Sequence, residues 1–234
     1  MARGLQMASE GADILDVGGE STRPGAAPVP EAEELSRVLP VIEGLRKRTS
    51  LPISIDTRRA SVARAALAAG ATLVNDVTAL ADPAMRAVVK AAGAQAILMH
   101  MKGEPGTMQA DPRYGDVVTE VRDFLLARAR QAEAEGIPKS RLILDPGIGF
   151  GKTLEHNLAL LRRLPELVAA GYPVLVGPSR KAFLGKILDL PVSDRLEGTA
   201  AAVACAVMGG AALVRVHDVK ELARVVRVAE AIRG

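Results

Sequence analysis

The sequence predicts an α/β protein of the TIM-type (β/α)8-barrel class, on three observations. Short apolar runs alternate along the chain with amphipathic runs rich in Ala, Leu, Arg and Glu, the pattern of repeated β-α units. The apolar runs are nearly continuous, as in strands covered on both faces, and each ends in a polar residue or a glycine. Successive runs lie on the order of 30 residues apart, the spacing of barrels of about 250 residues. A doubly wound sheet is the other architecture that this pattern allows.

Seven runs have the length and composition of parallel strands. They are residues 12–17, 53–56, 73–77, 96–101, 142–145, 174–177 and 213–216. A closed barrel of this class has eight strands, so one is missing from the pattern. We expect a single domain over residues 1–234 that lacks the barrel's first strand and the loop after it.

Amphipathic helices are predicted between the strands. They cover residues 61–69, 82–92, 116–135, 156–164, 199–208 and 219–232, and the opening segment 1–9 also resembles a helix. Glycines at positions 70, 93, 136, 171 and 210 follow helices, where a left-handed cap is favoured. Because the chain opens on a helix, the missing strand is expected to precede it, or another segment fills its place.

The composition excludes several classes of protein. The single cysteine, Cys205, rules out an internal disulfide; its apolar surroundings predict a core position and a reducing, cytoplasmic setting. The most apolar stretch, 199–214, is broken by two glycines and is shorter than the roughly 20 residues that span a bilayer. Charges are mixed, with a net charge of +3, and aromatic residues are 2% of the chain. We therefore expect neither a membrane nor a nucleic acid as partner.

Polar residues follow every predicted strand at its carboxyl end. They are Asp16, Glu20 to Arg23, Asp56 to Arg58, Asn75, Asp76, His100, Asp145, Ser179 to Lys181, Arg215 and His217. In a barrel these ends meet on one face, which carries the active site. Buried carboxylates cost several kcal/mol unless they are paired or hydrogen-bonded. A ligand that supplies donors would explain why several carboxylates surround one cavity.

The segment 145–153, Asp-Pro-Gly-Ile-Gly-Phe-Gly-Lys-Thr, resembles a phosphate-binding loop only in part. The glycine required five residues before Gly151 is replaced by Pro146, and the dinucleotide pattern fails as well. An ATP or NAD site is therefore excluded. Phe150 lies between glycines, so a flat wall for an aromatic ligand is favoured over a core position. His156 is expected to cap a helix.

Three further residues stay open between structural and functional roles. His100 is either a buried hydrogen-bonded residue or part of a site, and Arg23 and Arg180 are either surface ion-pair partners or ligand-binding groups. The three histidines show no metal-binding motif, so no zinc site is predicted.

The strand-end motifs resemble those of dihydropteroate synthases, in the same order and over essentially the whole chain. Gly-Gly-Glu-Ser-Thr-Arg-Pro-Gly at 18–25 resembles the second active-site loop of that family. The later motifs are Ser54-Ile55-Asp56-Thr57, Asn75-Asp76-Val77, Leu98-Met99-His100-Met101, residues 145–152, Ser179-Arg180-Lys181 and Arg215-Val216-His217-Asp218-Val219. The resemblance implies a transferase of folate biosynthesis. In this reaction p-aminobenzoate displaces pyrophosphate from 6-hydroxymethyl-7,8-dihydropterin pyrophosphate, giving 7,8-dihydropteroate.

The same resemblance implies a pterin site made of Asp56, Asn75, Met99, Asp145 and Lys181. Asp145 can accept two parallel N–H groups of the guanidine-like pterin edge, and Asn75 offers both a donor and an acceptor. Lys181 would bind the ring carbonyl or a ring nitrogen and offset the carboxylates. No residue needs to act as a covalent nucleophile.

The other two subsites are implied in the same way. Thr22, Arg23, Arg215 and His217 would bind the pyrophosphate, with Mg²⁺ bridging its oxygens. Pro24, Phe150 and Lys181 would border p-aminobenzoate. The catalytic set implied is Asp56, Lys181, Arg215 and His217.

Two departures from the family pattern are visible. The asparagine that contacts Mg²⁺ in the family belongs to the missing first strand and loop, so no metal ligand is identified in this chain. Ala182 follows Lys181, where relatives often carry serine. The resemblance also implies a homodimer through barrel helices, and the Ala/Val-rich final helices are candidates for that contact.

Three other hypotheses remain at this point. A corrinoid-dependent methyltransferase acting on methyltetrahydrofolate shares the pterin pocket, but it has no reason to keep an anion pocket such as Thr22-Arg23 with Arg215 and His217. A catalytically inactive pterin-binding homologue would fit the missing strand. So would a fragment of an ordinary enzyme.

Overall fold

A computed structural model of the chain describes residues 1–21, 26–104 and 106–234. Helices and strands alternate along it. The strands are β1 Leu15–Gly18, β2 Ile53–Asp56, β3 Leu73–Asp76, β4 Gln95–Met99, β5 Leu142–Asp145, β6 Leu175–Val176 and β7 Leu213–Val214. The helices are α1 Ala2–Ser9, α2 Glu31–Arg46, α3 Ala60–Ala68, α4 Pro83–Ala92, α5 Val117–Ala134, α6 Leu154–Arg162, α7 Leu164–Val168, α8 Ala182–Leu188, α9 Leu196–Met208 and α10 Val219–Arg233.

All strand pairs are parallel and follow chain order. Strands β1 to β5 form one sheet and β6 pairs with β7; a bridge between Leu144 and Val174 links the two groups. Asp56 lies beside Gly18 on one side and beside Asn75 on the other. Within the described ranges no pairing joins β7 to β1, so the barrel-type sheet stays open there. The described part of the chain contains seven parallel strands of the barrel type, as predicted.

Side chains alternate between the two faces of the sheet. Outward residues such as Ile53, Ile55, Val74, Leu98 and Leu144 belong to the main core between strands and helices. Inward residues form a second apolar cluster inside the barrel: Ile14, Leu73, Ile97, Ile143, Leu175 and Leu213. This two-residue period follows from the pleat of the strands. It fixes which strand-end residues point to the interior.

The helices differ from the prediction in three places. Helix α2 was not predicted; Pro40 lies inside it and weakens its sequence signal. Helix α8 was not predicted either. The helix predicted over 156–164 is α6, which begins two residues earlier and ends two residues earlier, and the short helix α7 after it, with Pro165 in its first turn, was not predicted. No helix in the described part of the chain is both long and apolar enough to cross a membrane.

The prediction that Cys205 is a core residue is wrong. On α9 the buried positions are Ala202, Val203, Ala206 and Val207, and Cys205 lies on the exposed side. A continuous apolar run does not show which face of a helix is buried, because only the helical period assigns the face.

Candidate active site

Inside the barrel, a polar layer follows directly on the apolar cluster. Two residues further along each strand, the next inward position is polar in four of the six strands and is Met99 or Gly177 in the other two. The residues of this layer are Asp16 after Ile14, Asn75 after Leu73, Met99 after Ile97, Asp145 after Ile143, Gly177 after Leu175 and Arg215 after Leu213. Asp56 joins them from β2, two residues after Ser54. The structure thus brings together at one end of the barrel the strand-end residues that the sequence singled out.

Asp145 and Asn75 offer acceptors inside this layer. The Asp145 carboxylate accepts the Gly147 N–H at 2.7 Å through Oδ1. Burial raises the pKa of Asp145 above its ordinary value, while the Gly147 N–H and the charges of Lys181, Arg215 and Lys152 act in the opposite direction. Asn75 is 3% exposed and its Oδ1 has no hydrogen-bond partner in the structure. A buried acceptor without a donor is rare in native proteins and indicates a ligand or water site.

Arg215 is shared between two carboxylates. Its Nη2 lies 2.6 Å from Asp56 Oδ2 and 2.7 Å from Asp16 Oδ2. Burial raises the pKa of Asp56 to about 6, with further raising by Asp16 and Asp76 against the lowering by Arg215. Burial alone would lower the pKa of the Arg215 guanidinium, but the two carboxylates raise it above its ordinary range.

His217 and Arg180 lie beside β7 in distinct networks. The His217 ring contacts the Ser179 hydroxyl through Nδ1 at 2.9 Å, and its backbone N–H donates to the same oxygen at 3.2 Å. Arg180 donates from Nε to Asp218 at 2.9 Å in a two-point ion pair. The structure thus shows the ion pair that was one of the two alternatives for Arg180.

Phe150 is more buried than the sequence predicted. It is 8% exposed and packs with Val77, Met99 and Met108, so the prediction against a core position is wrong. The close turns of the glycine loop fold the ring back onto the strand ends. The face of the Phe150 ring still contacts a charged group, because Lys181 Nζ lies 4.1 Å from the ring centroid, within the range of a cation–π contact. Phe150, Met99 and Lys181 thus form one wall beside the polar layer.

Lys152 lies beneath the glycine loop rather than at a phosphate site. It is 3% exposed, and its Nζ donates to Phe150 O at 2.9 Å and contacts His100 Nδ1 at 3.0 Å. Burial lowers the pKa of Lys152 to about 7, and burial together with Lys152 lowers the pKa of His100 to about 3. A neutral His100 ring therefore accepts at Nδ1. His156 caps α6 together with Thr153, as predicted.

A buried charge cluster supports the loop that follows β1. Glu34 on α2 is fully buried; it accepts the Thr57 hydroxyl at 2.7 Å and pairs with Arg59. Arg59 also pairs with Glu20 at 3.1 Å and donates to Val29 O at 2.7 Å. The cluster therefore links both flanks of the loop to the end of β2. Thr22, Arg23 and Pro24, predicted to bind substrates, lie outside the described residues.

A metal site is not visible in the same layer. Within the described ranges there is no group of three or more His, Cys, Asp or Glu side chains placed to hold an ion. The two carboxylates nearest each other, Asp16 and Asp56, converge on Arg215 instead.

Comparison with known proteins identifies the family. Residues 1–217 match the family model described as pterin binding enzyme. The dihydropteroate synthase of Synechocystis sp. is 51% identical over 228 residues, which cover 97% of this chain and 79% of that protein.

Two solved structures agree with this assignment. A Yersinia pestis dihydropteroate synthase, solved with a sulfonamide drug complex, superposes with a TM-score of 0.96 at 44% identity and covers 99% of this chain and 84% of that one. A Burkholderia cenocepacia dihydropteroate synthase complexed with 7,8-dihydropteroate gives 0.92 at 48% identity, covering 99% and 85%. These matches favour the expected family over a corrinoid methyltransferase. The chain belongs to the pterin-binding enzymes and, among them, to the dihydropteroate synthases.

Proposed function

We propose that this chain condenses 6-hydroxymethyl-7,8-dihydropterin pyrophosphate with p-aminobenzoate to give 7,8-dihydropteroate and pyrophosphate. The observation that carries the proposal is the inward polar layer, in which Asp145 and the unpartnered Asn75 Oδ1 offer buried acceptors. The product-bound Burkholderia cenocepacia relative supports it, because that ligand joins a pterin to a p-aminobenzoate group.

The pterin binds with its donor-rich edge toward the interior of the barrel. Asp145 accepts two parallel N–H groups, a charge-assisted pair, and Asn75 contributes both a donor and an acceptor. Asp56 hydrogen-bonds to the remaining part of the pterin edge, and Met99 supplies an apolar contact. Lys181 bonds a ring acceptor from the outer side. The surrounding carboxylates favour the cationic pterin methylene that develops as pyrophosphate departs.

The pyrophosphate binds at the β7 side of the layer. Arg215 and His217 lie there, and Thr22 and Arg23 complete the anion pocket. Mg²⁺ is the cofactor, and its chemistry is to neutralise charge on the leaving group. The ion would be held mainly through the substrate, beside Arg215 and His217, and would supply positive charge to the departing pyrophosphate. Mg²⁺ commonly binds to proteins in this manner, through substrate phosphates.

p-Aminobenzoate binds over the wall formed by Phe150 and Lys181, with Pro24 at its border. The ring packs on the apolar side of this wall, and the Lys181 ammonium lies near the carboxylate. In this pose the amine faces the pterin methylene carbon. After the C–O bond to pyrophosphate breaks, the amine attacks the methylene carbon, forms the C–N bond and then loses its proton.

The protein acts as a homodimer in the cytoplasm. Of the large apolar side chains that the described residues leave exposed, most lie on α8, α9, α10 and the turn after α8: Ile187, Leu188, Leu190, Val192, Met208, Val228 and Ile232. A concentration of exposed apolar side chains on neighbouring helices indicates a protein contact surface. A second copy of the chain is the partner we propose.

The experiment is an assay of dihydropteroate formation by the 234-residue chain, with and without Mg²⁺. We expect product that depends on both p-aminobenzoate and Mg²⁺. A folded chain that binds the pterin but yields no product would support the inactive pterin-binding homologue instead. Product without added Mg²⁺, in the presence of a chelator, would contradict the proposed cofactor.

A further inference from the structure

Asp16 lies in the polar layer, yet the family resemblance gives it no role. It stands on β1 two residues after Ile14, and its side chain is 20% exposed. Its Oδ2 and the Oδ2 of Asp56 lie 2.7 Å and 2.6 Å from the same nitrogen, Arg215 Nη2. One guanidinium nitrogen thus serves two carboxylates from two different strands.

We propose that Asp16 is a positioning residue that acts through Arg215 and competes with the pyrophosphate for its positive charge. The inference rests on the proposed function, because it deepens the role of Arg215 in the anion pocket. Asp16 would hold the guanidinium at the mouth of the barrel and limit how tightly the leaving group is retained.

The charges of the three groups support this competition. Arg215 and Asp56 alone make a neutral pair, whereas Asp16 brings the sum to −1. An arginine carries five N–H donors in a fixed fork, and both recorded contacts use Nη2. The two N–H groups of Nη1 can therefore be directed at the anion while the net charge beside it stays unfavourable. By orienting Arg215, Asp16 favours one pose of the bound pyrophosphate. By adding negative charge, it weakens the binding and so favours release of the pyrophosphate.

The test is the variant Asp16→Asn, which removes the charge and keeps the shape. Titration calorimetry with inorganic pyrophosphate should show about three- to tenfold tighter binding than the parent, because a nearby repulsive charge is lost. A merely structural role predicts weaker binding, through loss of the site's geometry. Unchanged or weaker affinity overturns the proposal. Asp13→Asn is the matched control, since Asp13 is exposed just before β1 and carries the same charge.

A double variant tests whether Asp16 acts through Arg215. In an Arg215→Gln background, Asp16→Asn should tighten pyrophosphate binding by clearly less than in the parent, because contacting residues couple in such a cycle. An equal effect in both backgrounds would contradict the route through Arg215. If Asp16→Asn fails to fold, Asp16→Ser removes the same charge with a smaller side chain.

A second readout uses 6-hydroxymethyl-7,8-dihydropterin, which lacks the pyrophosphate. The charged groups that act on Asp56 are Arg215, directly after β7, Asp16 on β1 and Asp76 on β3. Burial raises the pKa of Asp56 to about 6 and Asp16 adds to this rise, so a protonated Asp56 should weaken pterin binding below that pH. Loss of the Asp16 charge lowers the pKa of Asp56 and moves the decline in affinity to lower pH. An unmoved pH profile counts against the proposal.

The proposed function and the role of Asp16 are tested by different outcomes. If the parent chain forms no dihydropteroate, the proposed function fails whatever the Asp16 variant binds. If the parent is active and Asp16→Asn does not tighten pyrophosphate binding, the inference about Asp16 fails alone.

Discussion

Lys152 shows at the scale of one residue how the site's surroundings are held. Its ammonium is surrounded by neutral acceptors, the carbonyls of His100 and Phe150 and the His100 ring. The two contacts with His100 tie the glycine loop to the end of β4, and the contact with Phe150 holds the loop on itself. The amine therefore acts as a support for the wall that carries Phe150, and its charge is costly where it lies.

This cost predicts a pH-dependent stability for the parent chain. The pKa of Lys152 is about 7 in the folded state against 10.5 as its ordinary value, so between these values the unfolded chain binds one more proton. Stability contributed by this site should rise by about 1 kcal/mol per pH unit from pH 7 upward. The difference in unfolding free energy between parent and Lys152→Met should grow in favour of the parent over this range. Urea unfolding at pH 7, 8 and 9 measures it.

An unchanged difference across these pH values would show that Lys152 stays charged in the folded protein. Lys47→Met, a change at an exposed lysine that caps the C-terminal end of α2, controls for the loss of one positive charge.

At the scale of the element, strand ends were predictable and helix faces less so. The strands Ile53–Asp56 and Leu142–Asp145 were predicted to the residue, because each short, mainly apolar run stops at a carboxylate. Helix α2 was missed, because Pro40 interrupts its helical signal. The pairing of Asp16 with Arg215 could not be predicted from spacing. It depends on how β1 and β7 approach, nearly the whole chain apart. What could have placed Asp16 in the layer is its position two residues after Ile14.

Helix α2 and β2 are joined by the buried contact of Glu34 with Arg59 and Thr57. Truncating Glu34 leaves the Arg59 guanidinium, whose side chain is 22% exposed, with only part of its compensation. Glu34→Ala should cost about 3 kcal/mol, the lower end for breaking a buried pair. Glu33→Ala removes an exposed i,i+4 pair with Arg37 on the same helix and should cost under about 0.5 kcal/mol. If urea unfolding gives equal losses of unfolding free energy for Glu34→Ala and Glu33→Ala, the buried cluster does not stabilise the fold.

The glycine loop after β5 makes a second prediction. Gly147 has φ +67°, and a Cβ there would lie 1.9 Å from His100 O. Gly93 has φ +58°, but nothing lies within 4 Å of its Cβ position. Both alanine variants carry the backbone strain of the left-handed region, about 1–2 kcal/mol. Gly147→Ala should cost about 1–3 kcal/mol more, because the backbone must also move. Thermal unfolding of the two variants gives the comparison, and similar midpoints would contradict the close approach.

At the scale of the whole molecule, the exposed apolar side chains of α8 to α10 predict self-association. Val228 is 61% exposed and Ile232 71%. Sedimentation velocity of the parent should give a dimer, and Val228→Asp should shift it to monomer by burying a charge at the contact. Ala87→Asp, at an exposed position on α4, should leave the dimer intact. A monomeric parent at micromolar concentration would contradict the proposed homodimer.

The inward side of the barrel consists of two stacked layers, one apolar and one polar, and we propose that the polar layer binds the pterin edge. Titration calorimetry of 6-hydroxymethyl-7,8-dihydropterin against the parent and Asp145→Asn tests it most directly. The substitution turns an acceptor oxygen into a donor facing a donor. We expect a loss of affinity of at least about 100-fold, since a site built for paired hydrogen bonds strongly rejects a mismatch. Parent-like affinity in a folded Asp145→Asn variant would contradict the assignment of this layer as the pterin site.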